Sequence, residues 1–73
     1  MHFNYNKLWK LLIDKGMNKQ DLRKQCEVSG ASVAKLAKGQ NITTDVLLRI
    51  CKGLDCDISD IMEVVKDPED LQE

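Results

Sequence analysis

Between Gly16 and Gly39 the chain has room for two amphipathic helices of about two turns each with only a tight turn between them, and this spacing narrows the possible folds more than any other feature. Asn18 is a good N-cap with Asp21 three residues later, a relative of the capping box, and Leu22 and Cys26 mark the apolar face that follows. Glu27-Val28 breaks the pattern. Ser29 can cap again, and Val33, Leu36 and Ala37 predict the buried face of the next helix, which Gly39 ends. Helices this short are marginal alone, so both must pack against neighbours from the rest of the chain.

The flanking segments supply those neighbours. Tyr5, Leu8, Trp9 and Leu12 recur at helical spacing and predict a first helix from about Tyr5 to Lys15, stopped by Gly16. Residues 40–44 read as a loop, with Thr43 or Thr44 capping a fourth helix whose Leu47, Ile50, Cys51 and Leu54 share one stripe. Asp57, with Asp60 at the third position, predicts a fifth helix carrying Ile58, Ile61 and Met62. The expectation is an all-α, compact five-helix domain over residues 1–65. The proline-interrupted, acidic segment 66–73 is expected to be an exposed tail.

A chain of 73 residues supports a single core. Hydrophobic residues at 42% make it too apolar for a disordered chain, so it is expected to fold without a cofactor. The run Leu11-Leu12-Ile13 is far short of a membrane span, and no apolar leader opens the sequence, which predicts a cytoplasmic protein with no membrane partner. Three cysteines, Cys26, Cys51 and Cys56, cannot all pair, and reduced thiols serving as small buried hydrophobes are expected. No second cysteine pair accompanies Cys51 and Cys56, and the sole histidine is His2, so no metal site is expected. One terminal histidine, no clustered carboxylates in an apolar setting and no glycine-rich phosphate loop leave no catalytic constellation and point to no small-molecule substrate.

The net charge of −1 hides an uneven distribution. Residues 1–40 hold eight basic side chains against three acidic ones, whereas residues 41–73 hold three basic against nine acidic. The first half can face a polyanion while the second is repelled by it.

Two short helices joined by a tight turn, the second with small and basic residues outward, allow one helix to enter a DNA major groove about 12 Å wide. The stretches Met17-Asn18-Lys19-Gln20-Asp21-Leu22, Val28-Ser29, and Val33 and Leu36 up to Gly39 resemble the lambda-repressor-like, or Cro-type, helix-turn-helix family. Residues 47–62 are similar to that family's fourth and fifth helices, and the likeness spans roughly residues 7–63. Residues 5–14 with residues 43–47 further resemble a compact branch of short stand-alone regulators.

The resemblance implies a sequence-specific transcriptional regulator of double-stranded DNA, a repressor, that inserts its third helix in the major groove. Its base-facing positions correspond to Gly30, Ala31, Ser32, Ala34 and Lys35, and its phosphate-contacting positions to Lys19, Gln20, Lys38, Thr43 and Thr44. Two departures stand out. Gly30, Ala31 and Ala34 replace side chains that make bidentate base contacts, so readout must draw on Ser32, Lys35, alanine–thymine methyl contacts and DNA shape. Leu12 and Ala37 occupy the places of an Arg–Glu pair common in the family, a swap the fold tolerates. A symmetric homodimer is expected, through Met62, Val64 and Val65 or around Phe3 and Trp9. The competing reading is an antirepressor or antitoxin-like protein-interaction module that keeps the fold without specific DNA readout.

Overall fold

The computed structural model describes residues 1–71, and three of its helices begin where a short polar side chain takes over an unpaired backbone amide. At α2 (Lys19–Cys26) the Asn18 amide oxygen accepts from the Asp21 N–H at 2.9 Å, and the Asp21 carboxylate accepts from the Asn18 N–H at 3.0 Å. At α3 (Gly30–Ala37) the Ser29 hydroxyl accepts from the Ser32 N–H at 3.1 Å. Of the two threonines, Thr43 caps α4 (Thr44–Leu54), accepting from the Val46 N–H at 3.3 Å. Helix α1 (Asn6–Asp14) has no such cap; the Tyr5 ring before it is buried, and its hydroxyl donates to the Gln40 carbonyl at 3.0 Å. Gly16 and Gly39 end α1 and α3 with φ of 67° and 70°, a backbone that side chains with a Cβ rarely adopt.

The apolar stripes meet in one core. Leu8 and Leu12 of α1, Leu22 and Cys26 of α2, Val33 and Leu36 of α3, and Leu47, Ile50 and Leu54 of α4 are buried together with Tyr5, Val28 and Ile61. Helix α2 lies against α4 at Gly53, where an added Cβ would sit 2.5 Å from the Cys26 sulfur. Ala37, expected on the buried face, is exposed. It borders a shallow groove with Trp9, Leu12 and Met17, because at about 100° per residue it falls at the edge of the face that buries Val33 and Leu36.

The expected fifth helix is a correction: among the described residues there are four α-helices. The capping box at Asp57 and Asp60 forms, but it opens only a 3-10 turn at Ile58–Asp60. The chain then extends into β2 (Glu63–Val65), which pairs antiparallel with β1 (His2–Asn4), Phe3 lying opposite Val64. Two consecutive β-branched valines suit an extended backbone, and Pro68 shortly after disfavours continued helix. The fold is therefore mostly helical with a small ribbon, and not purely α.

Beyond β2 the chain makes a second 3-10 turn at Pro68–Leu71. Asp67 accepts from the Met1 amino group at 2.8 Å and contacts the His2 ring at 2.7 Å, and Asp70 also meets that amino group. The hydrogen bond from the Met1 amino group, with that from His2 behind it, holds the Asp67 carboxyl below its usual pKa. Of the acidic segment 66–73, Gln72 and Glu73 lie outside the described residues.

The three cysteines are free thiols, Cys26 buried and Cys51 and Cys56 half-buried. Asp55, left-handed at φ 52°, turns the end of α4 so that the Cys56 N–H donates to the Cys51 carbonyl at 3.0 Å. That helix ending brings residues 51 and 56 into apolar contact. Burial, and then the neighbouring Cys51, push the Cys56 thiol up to about 11. Deprotonation at neutral pH is correspondingly rare, so Cys56 in the folded protein should alkylate on the order of 100-fold more slowly than in the urea-unfolded chain. Peptide mass spectrometry after timed labelling at pH 7.5 reads this directly, and equal rates would contradict it. Among the described residues no helix is long and apolar enough to cross a membrane.

Candidate nucleic-acid interface

The turn between α2 and α3 is three residues long, and its geometry follows from their side chains and backbone. Glu27 takes a left-handed conformation at φ 55°, Val28 buries its side chain in the core, and Ser29 caps α3. Arg49 of α4 braces this turn: its guanidinium donates to the Glu27 carbonyl at 3.0 Å and pairs with Asp45 at 3.2 Å.

Helix α3 rotates about 100° per residue, so burying Val33 and Leu36 forces Ala31, Ala34, Lys35 and Lys38 onto the opposite face. All four are exposed there, and Gly30 and Ser32 lie half-exposed on its flanks. The structure thus brings Ala31, Ala34 and Lys35 of the five expected base-facing residues together with Lys38 on one exposed face of α3, with Gly30 and Ser32 at its two opposite edges. Ser32 accepts a hydrogen bond from the Ser29 hydroxyl at 3.1 Å, which leaves its own hydroxyl proton free to donate outward.

Lys19 and Gln20 occupy the first two positions of α2. The capping box engages the amides of Asn18 and Asp21, so the amides of Lys19 and Gln20 are the first-turn donors left for another acceptor. The Lys19 ammonium stands 5.3 Å from the centroid of the Trp9 ring, a cation–π contact that holds a flexible side chain in place. Thr43 uses its oxygen as a cap acceptor and keeps its proton for donation. Thr44 lies apart from the α3 face, bordering a separate groove with Leu47, Leu48, Cys51 and Ile58.

One residue with bearing on this surface escaped the sequence reading. Arg23 of α2 lies over the start of α3, its guanidinium carbon 3.3 Å from where a Cβ on Gly30 would be. An arginine between Leu22 and Lys24 looks like an ordinary solvated residue of an amphipathic helix. The signal that could have found it is Gly30 itself, a glycine at the first position of a helix, which leaves room for a neighbour to lie close beside it.

A capped pair of short helices at a tight turn, with the second offering a small, basic outer face, defines a helix-turn-helix domain. The chain belongs to the Cro/C1-type helix-turn-helix DNA-binding family, whose sequence model matches residues 7–67. Among solved structures it is similar to the transcriptional regulator VanUg in its crystal form II, with a TM-score of 0.85 and 48% identity covering 90% of this chain and 88% of that one. No curated protein matches the chain.

Proposed function

We propose that this chain is a cytoplasmic transcriptional repressor that binds double-stranded DNA by laying α3 in the major groove. The observation that carries the reading is the exposed face of α3, where small side chains allow close approach and Lys35 and Lys38 supply positive charge. Residues 1–65 form the DNA-binding unit, with the acidic segment 66–73 kept from the phosphates, and no cofactor or small-molecule substrate is called for. Gly30, Ala31, Ser32, Ala34 and Lys35 face base edges, while Lys19, Gln20, Lys38 and Thr43 hold the phosphate backbone; Thr44, which borders the separate groove, is left out of this set. The similarity to a transcriptional regulator over most of both chains supports this assignment.

Phosphate contacts position a protein and base contacts specify sequence, which separates two of these lysines experimentally. Lys19→Ala should weaken binding to operator and random duplex alike and lower the slope of log affinity against log salt by about one. Lys35→Ala should instead reduce discrimination between the preferred site and scrambled DNA by about 1–3 kcal/mol. Fluorescence anisotropy titrations at several salt concentrations, on a fragment from upstream of the protein's own coding region, measure both effects. If neither variant differs from the parent, the surface is not a DNA interface.

The functional form is a two-fold dimer, since one short α3 spans few base pairs. Phe3 and Val64 face each other across the ribbon and are both substantially exposed, which makes them the contact best placed for a second copy. Val64→Asp should leave a monomer in sedimentation equilibrium if so. A protein-interaction role finds its support in another region, the exposed Leu48 and Ile58 of a groove bordered by Asp55, Asp57 and Asp60. That role predicts partner binding with little salt dependence.

A further inference from the structure

We propose that Arg23, carried on α2, reads a guanine edge in the major groove from beside Gly30, whose missing side chain leaves room for it at the leading end of α3. The inference rests on α3 entering the groove as proposed above. It answers a deficiency in that reading: among the base-facing residues, Gly30, Ala31 and Ala34 offer no side-chain hydrogen-bond donor, yet the N-terminal residues of such a helix are the ones that reach base edges.

The chain has two arginines, and their surroundings differ. Arg49 is held at both ends of its guanidinium, by the Glu27 carbonyl and by Asp45. Arg23 is exposed, and among the described residues its side chain makes no ion pair and no hydrogen bond. Its guanidinium instead lies beside Gly30, with Cζ, Nε and Nη2 at 3.3, 3.5 and 3.5 Å from where a Cβ there would be. The group therefore lies within contact distance of the space a Cβ at position 30 would fill, at the leading end of α3. Its stem is flexible, so the head can swing outward from Gly30 while the stem remains packed against α2 and α3. A guanidinium offers two parallel donors, which match the O6 and N7 acceptors of guanine. The Lys24 ammonium beside it has no such fork, and Gln20 across the same cleft can orient the guanidinium or contact a phosphate.

Selection of preferred sites from a random duplex library by the parent chain, by Arg23→Lys and by Arg23→Ala tests the assignment. The parent should enrich a site with a guanine in each half that neither variant retains. Both variants should bind the parent's site roughly 5- to 150-fold more weakly, the range for one lost bidentate base contact. Arg23→Lys should bind random duplex as the parent does, because it keeps the charge and loses only the fork. Substituting 7-deazaguanine at the enriched position should weaken the parent and leave the variants unaffected. Two results overturn the proposal: variants that enrich the parent's site unchanged, or Arg23→Ala losing equally on selected and random DNA while Arg23→Lys matches the parent, the pattern of a phosphate contact. Failure of the underlying groove reading looks different. There the parent enriches no site, and Lys35→Ala changes nothing on any duplex, which overturns both. Unchanged thermal unfolding of the Arg23 variants shows that binding and not folding is being read.

Discussion

Leu54→Ala is expected to destabilise the domain by about 2–5 kcal/mol, against a total folding stability of roughly 4–11 kcal/mol for a chain of this length. The side chain is 2% exposed and stands near the end of α4, among Leu22 and Cys26 of α2 and Ile61 beyond the 3-10 turn. Truncation there opens a cavity that short, mutually dependent helices cannot close by shifting one of them. Leu22→Ala, on the facing side of the same contact, should cost a similar amount. Urea unfolding followed by circular dichroism measures both, and a midpoint unchanged in either variant would mean that the α2–α4 contact is not what holds the domain together.

The second large effect runs against helix propensity. Alanine is favoured over glycine inside a helix by about 0.5–1 kcal/mol, so Gly53→Ala would stabilise α4 if the helix stood alone. In the fold the new methyl would lie 2.5 Å from the Cys26 sulfur, 3.0 Å from its α-carbon and 3.1 Å from its β-carbon. The sulfur could move, but the α-carbon belongs to the backbone of α2, so the two helices must separate. Overpacking of this kind costs about 1–3 kcal/mol, and the expected outcome is a lowered melting temperature. Adding Cys26→Ala removes the closest atom and should restore part of the loss, giving a measurable coupling between the two positions. A Gly53→Ala variant that melts higher than the parent would show that α2 and α4 sit farther apart.

What the sequence disclosed and what it concealed divides by distance along the chain. The caps at Asn18, Ser29 and Thr43 and the stops at Gly16 and Gly39 are local, each resting on contacts within a few residues, and four helices were legible from them. The same logic failed at Asp57, where the local capping signal is real but the competing partner, His2–Asn4, lies about sixty residues away. No periodicity within residues 57–65 can report a strand at the other end of the chain. Ala37 was misplaced because spacing gives the centre of a helix's buried face but not how far the neighbouring elements cover its edges. The α3 face was foreseeable because burial of Val33 and Leu36 determines it. Arg23 was not, since its significance depends on which surface of α3 packs against α2, and that is a property of the assembled pair.

The β1–β2 ribbon has a kinetic consequence. Its register joins Asn4 to Glu63, which closes nearly the whole chain into a loop for the gain of two three-residue strands. The loop entropy of such a closure must be overcome before the strands interact, whereas the α2–turn–α3 unit forms from neighbours in sequence. The ribbon should therefore assemble after the helical body and detach before it, as a separate unit of low opening free energy. Amide hydrogens in residues 2–4 and 63–65 should exchange through this partial opening faster than those of Leu22, Ile50 and Leu54. Because Phe3 borders the same cleft as Leu36, Lys38 and Gly39, each such opening uncovers the trailing end of α3, and α3 would be anchored at its leading end by the interhelical turn and at its trailing end by a latch that comes and goes.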